Sequence, residues 1–377
     1  MEITFSHTTA LALLRAQRRG ELCTKDARRM DCPTTRIRLG RHDKAELLEA
    51  FLEPLGNVAS ELATEATPLE HLVRSAGERS HSPLLRGHLS GATLPPDSFL
   101  RLAPGIAISS PELAFAQMAE TLTDAQLLAL GMELCGSFAC DPLGPAHGPA
   151  RYGLPPLTSQ GRMLWFLSHA RVLRGRERAR RVAELVAPNA WSPREAMLAA
   201  LLLPPAQEGG FPLAPLTLNV RVFQAGAPMT RPSRVPDILL EGTGVGLNYD
   251  GHDHLALASL ESAAMAVACD PGSAERQHVV QRLRTQIRKR YVDDRRRDRD
   301  LTSQGLAILP VTAEDLRGPA GLEFLLCQLV SCAERGTGRR DGWARAMLED
   351  PTLQAARARV LKELQLWYSR SPRAANT

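Results

Sequence analysis

The sequence predicts an α/β protein of two domains, the second built on a mixed sheet flanked by helices. Three observations carry this expectation. Strand-length apolar runs alternate along the chain with segments of helical periodicity. The 377 residues suffice for two cores of ordinary size. Two short apolar runs, Val235–Leu240 and Val245–Tyr249, flank the turn-forming Glu241-Gly-Thr-Gly244, which reads as a β-hairpin with a four-residue loop.

In that hairpin Leu240 pairs with Val245, so Asp237 falls opposite Asn248. Side chains alternate faces along a strand. One face therefore collects Ile238, Leu240, Val245, Leu247 and Tyr249. The other collects Asp237, Asn248 and Asp250, with His252 and His254 just past the strand end. An apolar face backing converging carboxylates and imidazoles is what a metal site at a sheet edge needs.

The elements follow in order. Residues 1–140 read as a first, smaller α/β domain. It holds helices at Leu11–Arg18 and Lys44–Leu55 and strands at Thr35–Leu39, Leu69–Val73 and Ile106–Ile108. Ser110-Pro-Glu opens a further helix with an N-cap serine and a first-turn proline. Thr123–Cys135 continues as another. Residues 141–158 hold five prolines and three glycines, the composition of a linker or an extended surface strap. From 159 to 377 a helical lead-in, Ser159–His169 and Arg174–Val186, precedes the second domain. Ser192–Leu203 is a helix whose Ser192-x-x-Glu195 start is a capping box. Leu218–Phe223 reads as the first sheet strand. After the hairpin come a small helix, Ser259–Ala268, and a long one, Glu275–Tyr291. The long helix has Val279/Val280, Leu283, Ile287 and Tyr291 on one side and Arg282, Arg284, Arg288 and Lys289 off that stripe. Leu306–Val311 reads as the last strand. Helices at Gly321–Ala333 and Trp343–Trp367 are expected to pack the back of the sheet.

Pro236-Asp237, a turn, and a strand ending in Tyr249-Asp-Gly-His-Asp-His254 resemble the core of the PD-(D/E)XK nuclease superfamily, in its very-short-patch-repair (Vsr-like) branch. That branch usually reads Glu-x-Asp-Gly-x-x-His; Asp250, Gly251 and His254 match it, and Asn248 stands where the family has Glu. The branch also has an Asp-x-x-Arg-x-x-x-Leu-x-x-x-Gly helix leading into a final strand, matched by Asp294, Arg297, Leu301 and Gly305. The resemblance implies a restriction-endonuclease-like fold and a Mg²⁺ (or Mn²⁺) held by Asp237 and Asp250, with Asn248 as a neutral ligand. It also implies a Glu facing the metal site from the opening helix, a place Glu195 fits beside its capping role. His254, or His252, would serve as general base or acid. In the first domain, a short strand running into Ser-Pro-Glu-Leu resembles AbiEi-type abortive-infection antitoxins over residues 70–136. That likeness implies a regulatory role and a toxin or antitoxin protein as partner.

Charge points the same way. Residues 276–299 carry ten Lys/Arg against three Asp, an excess larger than the +5 of the whole chain. Such focusing suits a polyanion, and a solvated helix face is the plainer alternative. Arg282, Arg284, Arg288, Lys289 and Arg297 are the candidate DNA contacts. With aromatic content of only 5%, platforms for stacking single strands are few, so duplex DNA is the expected target. The function expected is metal-dependent DNA cleavage in phage defence or DNA repair. The alternative is an inactive, DNA-binding or antitoxin-like regulator on the same fold. No apolar run approaches the roughly 20 residues of a membrane span, and the N-terminus lacks a signal-peptide pattern, so a cytoplasmic location is expected. The seven cysteines form no disulfide or zinc pattern and read as free, buried thiols.

Overall fold

The computed structural model describes residues 3–22, 28–31, 67–79, 82–221, 235–250, 264–265, 267 and 274–368, which form a mixed α/β architecture. The chain divides into two compact units, residues 1–200 with 363–377 and residues 201–362. The strand expected at 35–39 and the helix expected at 44–55 lie outside the described residues, as does most of the helix expected at 259–268.

Six strands build the sheet of the first unit: β1 (Ile3–Phe5), β2 (Arg28–Met30), β3 (Leu69–Val73), β4 (Leu85–Leu89), β5 (Phe99–Ala103) and β6 (Ile106–Ser109). Their order is β2-β5-β6-β1-β3-β4, with β1 parallel to β6 and antiparallel to β3. β4, Leu-Arg-Gly-His-Leu, has no apolar alternation of its own, and its pairing with β3 makes it a strand. Helix α1 (His7–Arg19) contributes Ala10, Leu13 and Leu14 to one buried cluster with Ile3, Phe5, Leu69 and Ile108. Ser110 caps α2 (Pro111–Met118), its Oγ accepting the Leu113 N–H at 3.3 Å. Thr123 and Gln126 close a capping box on α3 (Asp124–Cys135). Glu112, of the Ser-Pro-Glu motif, is buried and clasped by Arg29, Arg162 and Thr158, a structural tie.

The division of the chain falls after Ala200, within α6 (Pro193–Leu202), and not in the Pro/Gly-rich stretch 141–158. That stretch is a strap on the first unit. Leu154 and Leu157 donate their N–H groups to the Ser137 and Leu134 carbonyls, both at 2.9 Å, and β8 (Arg151–Tyr152) pairs with β7 (Phe138–Ala139). Arg18 holds the Pro155 and Phe138 carbonyls together. Prolines deprive the strap of internal ladders, and the first unit supplies the missing partners. Helices α4 (Gln160–His169) and α5 (Arg176–Glu184) consequently belong to this unit, packing on α2 and α3, and are no lead-in to the second.

Two polar devices tie α1 down. Arg15 and Glu133, on α3, form a buried bidentate pair at 2.8 and 2.6 Å, and Glu133 also accepts the Cys140 N–H at 2.9 Å. At the other end of the helix, Glu70 of β3 accepts the Thr8 N–H at 2.8 Å and a hydrogen bond from His88 Nε2 at 3.1 Å. Burial works against the Glu70 carboxylate, but these hydrogen bonds hold its pKa down at about 2. Burial first, and then the neighbouring His88, push His7 and His71 down to about 4. A histidine depressed in the folded state stabilises above its unfolded pKa, near 6.5, and loses that contribution as pH falls toward 4. The Glu70 contribution is lost lower, as pH falls toward 2. Acidification is therefore expected to destabilise the protein from about pH 6.5 downward, on the order of 3 kcal/mol per histidine. Denaturant melts at successive pH values, with His7→Gln removing its share, measure this. A stability flat from pH 7 to about 4 contradicts it.

The second unit holds β9 (Leu216–Leu218), β10 (Ile238–Leu240), β11 (Val245–Asp250) and β12 (Ala307–Thr312), in the order β12-β11-β10-β9. β9, β10 and β11 pair antiparallel in succession, and β12 runs parallel to β11. A parallel neighbour requires a crossover, supplied by α7 (Ala274–Ser303). The two helical stretches expected at 275–291 and from 294 are one helix of 30 residues, about 45 Å long. No glycine or proline interrupts it. Gly305, at φ +84°, stops it, with the Leu306 N–H reaching back to the Leu301 carbonyl at 3.3 Å. Along α7, Val280, Leu283 and Ile287 are half-buried, whereas Val279 and Tyr291, expected beside them, are exposed.

Helix α8 (Pro319–Thr337) packs on β11 and β12. A Cβ at Gly336 would lie 2.1 Å from the Thr243 carbonyl, so glycine lets α8 touch the hairpin turn. The helix expected at 343–367 is two, α9 (Gly342–Glu349) and α10 (Pro351–Tyr368). Pro351 disfavours helical backbone at Asp350, and Asp350 Oδ1 then accepts the Thr352 N–H at 2.7 Å. Cys135, Cys140 and Cys332 are buried free thiols, while Cys327 is exposed. Among the described residues no helix is long and apolar enough to cross a membrane.

Candidate functional site

The hairpin has the register its sequence implies, Leu240 facing Val245 and Ile238 facing Leu247. Gly242 and Gly244, at φ +73° and +70°, turn the chain. Between them Thr243 donates its hydroxyl to the Leu240 carbonyl at 2.8 Å and accepts the Val245 N–H at 3.1 Å. Ile238, Leu240, Val245, Leu247 and Tyr249 are all buried on one face.

The opposite face is polar and largely covered. Asn248 is only 1% exposed. Its Oδ1 accepts the Asp237 N–H at 3.1 Å, and its Nδ2 donates to Asp298 Oδ1 on α7 at 2.9 Å. Asp237 Oδ2 accepts the Tyr249 N–H at 2.7 Å, and Arg297 Nη1 lies 3.4 Å from Asp237 Oδ1. Asp250 is half-buried, with Arg295 at 4.0 Å, and Arg295 also reaches Asp298 at 3.6 Å. Burial, and then the carboxylates of Asp294 and Asp298, raise the Asp250 pKa above the usual carboxylate range.

Two segments some fifty residues apart thus meet: the hairpin with Asp237, Asn248 and Asp250, and α7 with Asp294, Arg295, Arg297 and Asp298. Leu301, 0% exposed, anchors that end of α7. Arg297, expected among the DNA contacts, is instead paired with Asp237. Asp298 and Arg295 were not expected here. Both lie within the basic run; Asp298 is one turn (i+4) from Asp294, and Arg295 is three residues before Asp298, so helical spacing would have brought them to this surface.

Glu195 belongs to the first unit, and its carboxylate closes its own helix. Oε1 accepts the Ser192 hydroxyl at 2.9 Å, Oε2 accepts the Trp191 N–H at 2.8 Å, and Ser192 Oγ accepts the Glu195 N–H at 3.2 Å. Of its two sequence readings, the capping box is the one this geometry displays. His252 and His254 lie outside the described residues. Arg282, Arg284, Arg288 and Lys289 are all exposed along the first half of α7.

Among the described residues no three His, Cys, Asp or Glu side chains group as a metal site. The oxygen-bearing side chains of this face are Asp237, Asp250 and Asn248, whose Oδ1 accepts the Asp237 N–H; such hard oxygens are what Mg²⁺ or Mn²⁺ prefers. Burial is the main cause of the raised Asp250 pKa, and the neighbouring Asp294 and Asp298 carboxylates add to it, a repulsion that a divalent ion would relieve. In that respect the residues fit a cation, which would share Asp237 with Arg297.

Comparison of the chain with protein-family models, with curated proteins and with solved structures finds no match.

Proposed function

We propose that residues 201–362 form a restriction-endonuclease-like, Vsr-like domain that hydrolyses phosphodiester bonds of duplex DNA with Mg²⁺ or Mn²⁺. The observation that carries this reading is the meeting of the two motif segments through the Arg297–Asp237 ion pair and the Asp298–Asn248 hydrogen bond. Within residues 201–362 the order of elements, the hairpin strands β10 and β11, α7, then the parallel strand β12, is also the order in which the resembling family carries its motifs. Asp237 and Asp250 would hold the cation, which when bound supplies a water of lowered pKa and charge for the phosphate. Asn248 fixes the backbone of Asp237 and the side chain of Asp298. Arg297 and the Tyr249 N–H aim the Asp237 carboxylate. His254, from the family motif, would move the proton.

A second reading is an inactive DNA-binding regulator. It is favoured by Asn248, whose carboxamide is satisfied on both sides, and by the guanidinium of Arg297 beside the carboxylate a metal would need. Plasmid nicking in Mg²⁺ or Mn²⁺, with Asp237→Asn as control, separates the readings. Nicking by the native chain alone supports the nuclease. Salt-sensitive DNA retention without nicking supports the regulator, and neither result would sink both.

The DNA face can be narrowed by helix geometry. Arg284 and Arg288 are one turn apart, Arg282 and Lys289 two turns apart, and the pairs point about 130° away from each other. One duplex is therefore expected to engage a single pair. Replacing that pair with alanines should flatten the log–log salt dependence of DNA binding by about 1.8, and replacing the other pair should leave it unchanged. Equal losses from both pairs would contradict a single duplex face.

A further inference from the structure

The first unit carries a cavity of about 530 Å³, open to solvent on one side, whose lining includes His7, His88, Gln117, Arg79, Arg174 and Glu120. The His7 and His88 rings stack with centroids 3.8 Å apart and planes at 23°. Each has one nitrogen engaged: His7 Nδ1 pairs with Ser6 Oγ at 2.9 Å, and His88 Nε2 with Glu70. The other nitrogen of each ring has no protein partner among the described residues. Gln117 is only 4% exposed; its Oε1 accepts the His7 N–H at 3.1 Å, and among the described residues no protein group takes its Nε2 donors. Gln117 lines the cavity, so these donors are free to meet a ligand there.

The charge is also unspent. Arg79 and Arg174 are exposed and have no carboxylate partner, and among the described residues of the lining Glu120 is the only acid, so these residues are net positive. Backbone strain collects in the same place. His7, at φ +50°, and the β-branched Val172, at φ +54°, both line the cavity. Conformations of that kind persist where the surroundings over-determine them, often around ligands. His7, held neutral by burial, offers a ring without a charge to repel a cation or to require a counter-ion.

We infer that this cavity binds a small organic anion. Arg79 and Arg174 take its anionic oxygens, and Gln117 Nε2 with the His7–His88 stack holds its body. The reading is independent of the nuclease proposal, since every residue belongs to the first unit. Isothermal titration of the full chain tests it with adenosine 5′-monophosphate, 4-hydroxybenzoate and inorganic phosphate as probes. At least one organic probe should bind with a Kd below about 1 mM, and which one binds distinguishes phosphate from carboxylate as the anionic group. Arg79→Ala with Arg174→Ala, both at exposed positions, should weaken that binding at least about tenfold. Arg171→Ala, an exposed neighbour outside the lining, should leave it unchanged. Three results overturn the inference: neither organic probe binds, the double variant binds as the native chain does, or inorganic phosphate binds as tightly as the organic probes.

Discussion

Asp237→Asn is expected to reduce plasmid nicking in Mg²⁺ by more than about 100-fold, because even residues one shell away from a metal typically cost 10- to 100-fold. The substitution keeps the shape of the side chain. It also keeps an oxygen for the Tyr249 N–H and removes the charge facing Arg297. A structural role alone would spare the cleavage rate and move only the melting temperature. Arg297→Met should act more weakly, by about 10- to 100-fold, as a positioning residue. Its effect should appear in kcat at saturating metal, while the chain stays folded by circular dichroism. If Asp237→Asn nicks DNA at the native rate, Asp237 is no metal ligand and the nuclease reading falls.

The largest expected stability effect lies in the other unit. Glu133→Ala would leave Arg15, 4% exposed, as an unpaired cation in the core, and would also strip the Cys140 N–H of its acceptor. Breaking a buried pair by removing one partner typically costs about 3–5 kcal/mol, against a total of about 5–15 kcal/mol for a typical domain. The double replacement Arg15→Met/Glu133→Leu removes both charges and should recover most of that loss. Urea denaturation of the three chains measures it. A single variant within about 1 kcal/mol of the native protein would show that water reaches the pair.

Much of this molecule could be read one residue at a time. The hairpin register follows from alternation and two turn glycines, both local. So do the Ser110 cap, the Ser192-x-x-Glu195 box and the β-strand at Leu69–Val73, because each needs only neighbours within a few positions. The polar face of Asp237, Asn248 and Asp250 was legible for the same reason.

What covers that face was not. An Asp298 on a basic helix looks like solvent-exposed charge until α7 crosses back to place β12 beside β11, and only then does it meet Asn248. Arg297 likewise changes from a candidate phosphate contact to the partner of Asp237. Residues 141–158 read as a linker or a surface strap, and only Arg18, far back in the chain, with the Leu134 and Ser137 carbonyls just before the stretch, makes them the strap. The anion cavity draws on α1, β4, α2 and the loop before α5, so no window of sequence contains it. By itself the sequence determined local conformation and which side chains share a face, since those depend on short-range sterics and hydrogen bonds. The tertiary structure alone decided which charges are paired and buried, because pairing depends on contacts between segments far apart in the chain.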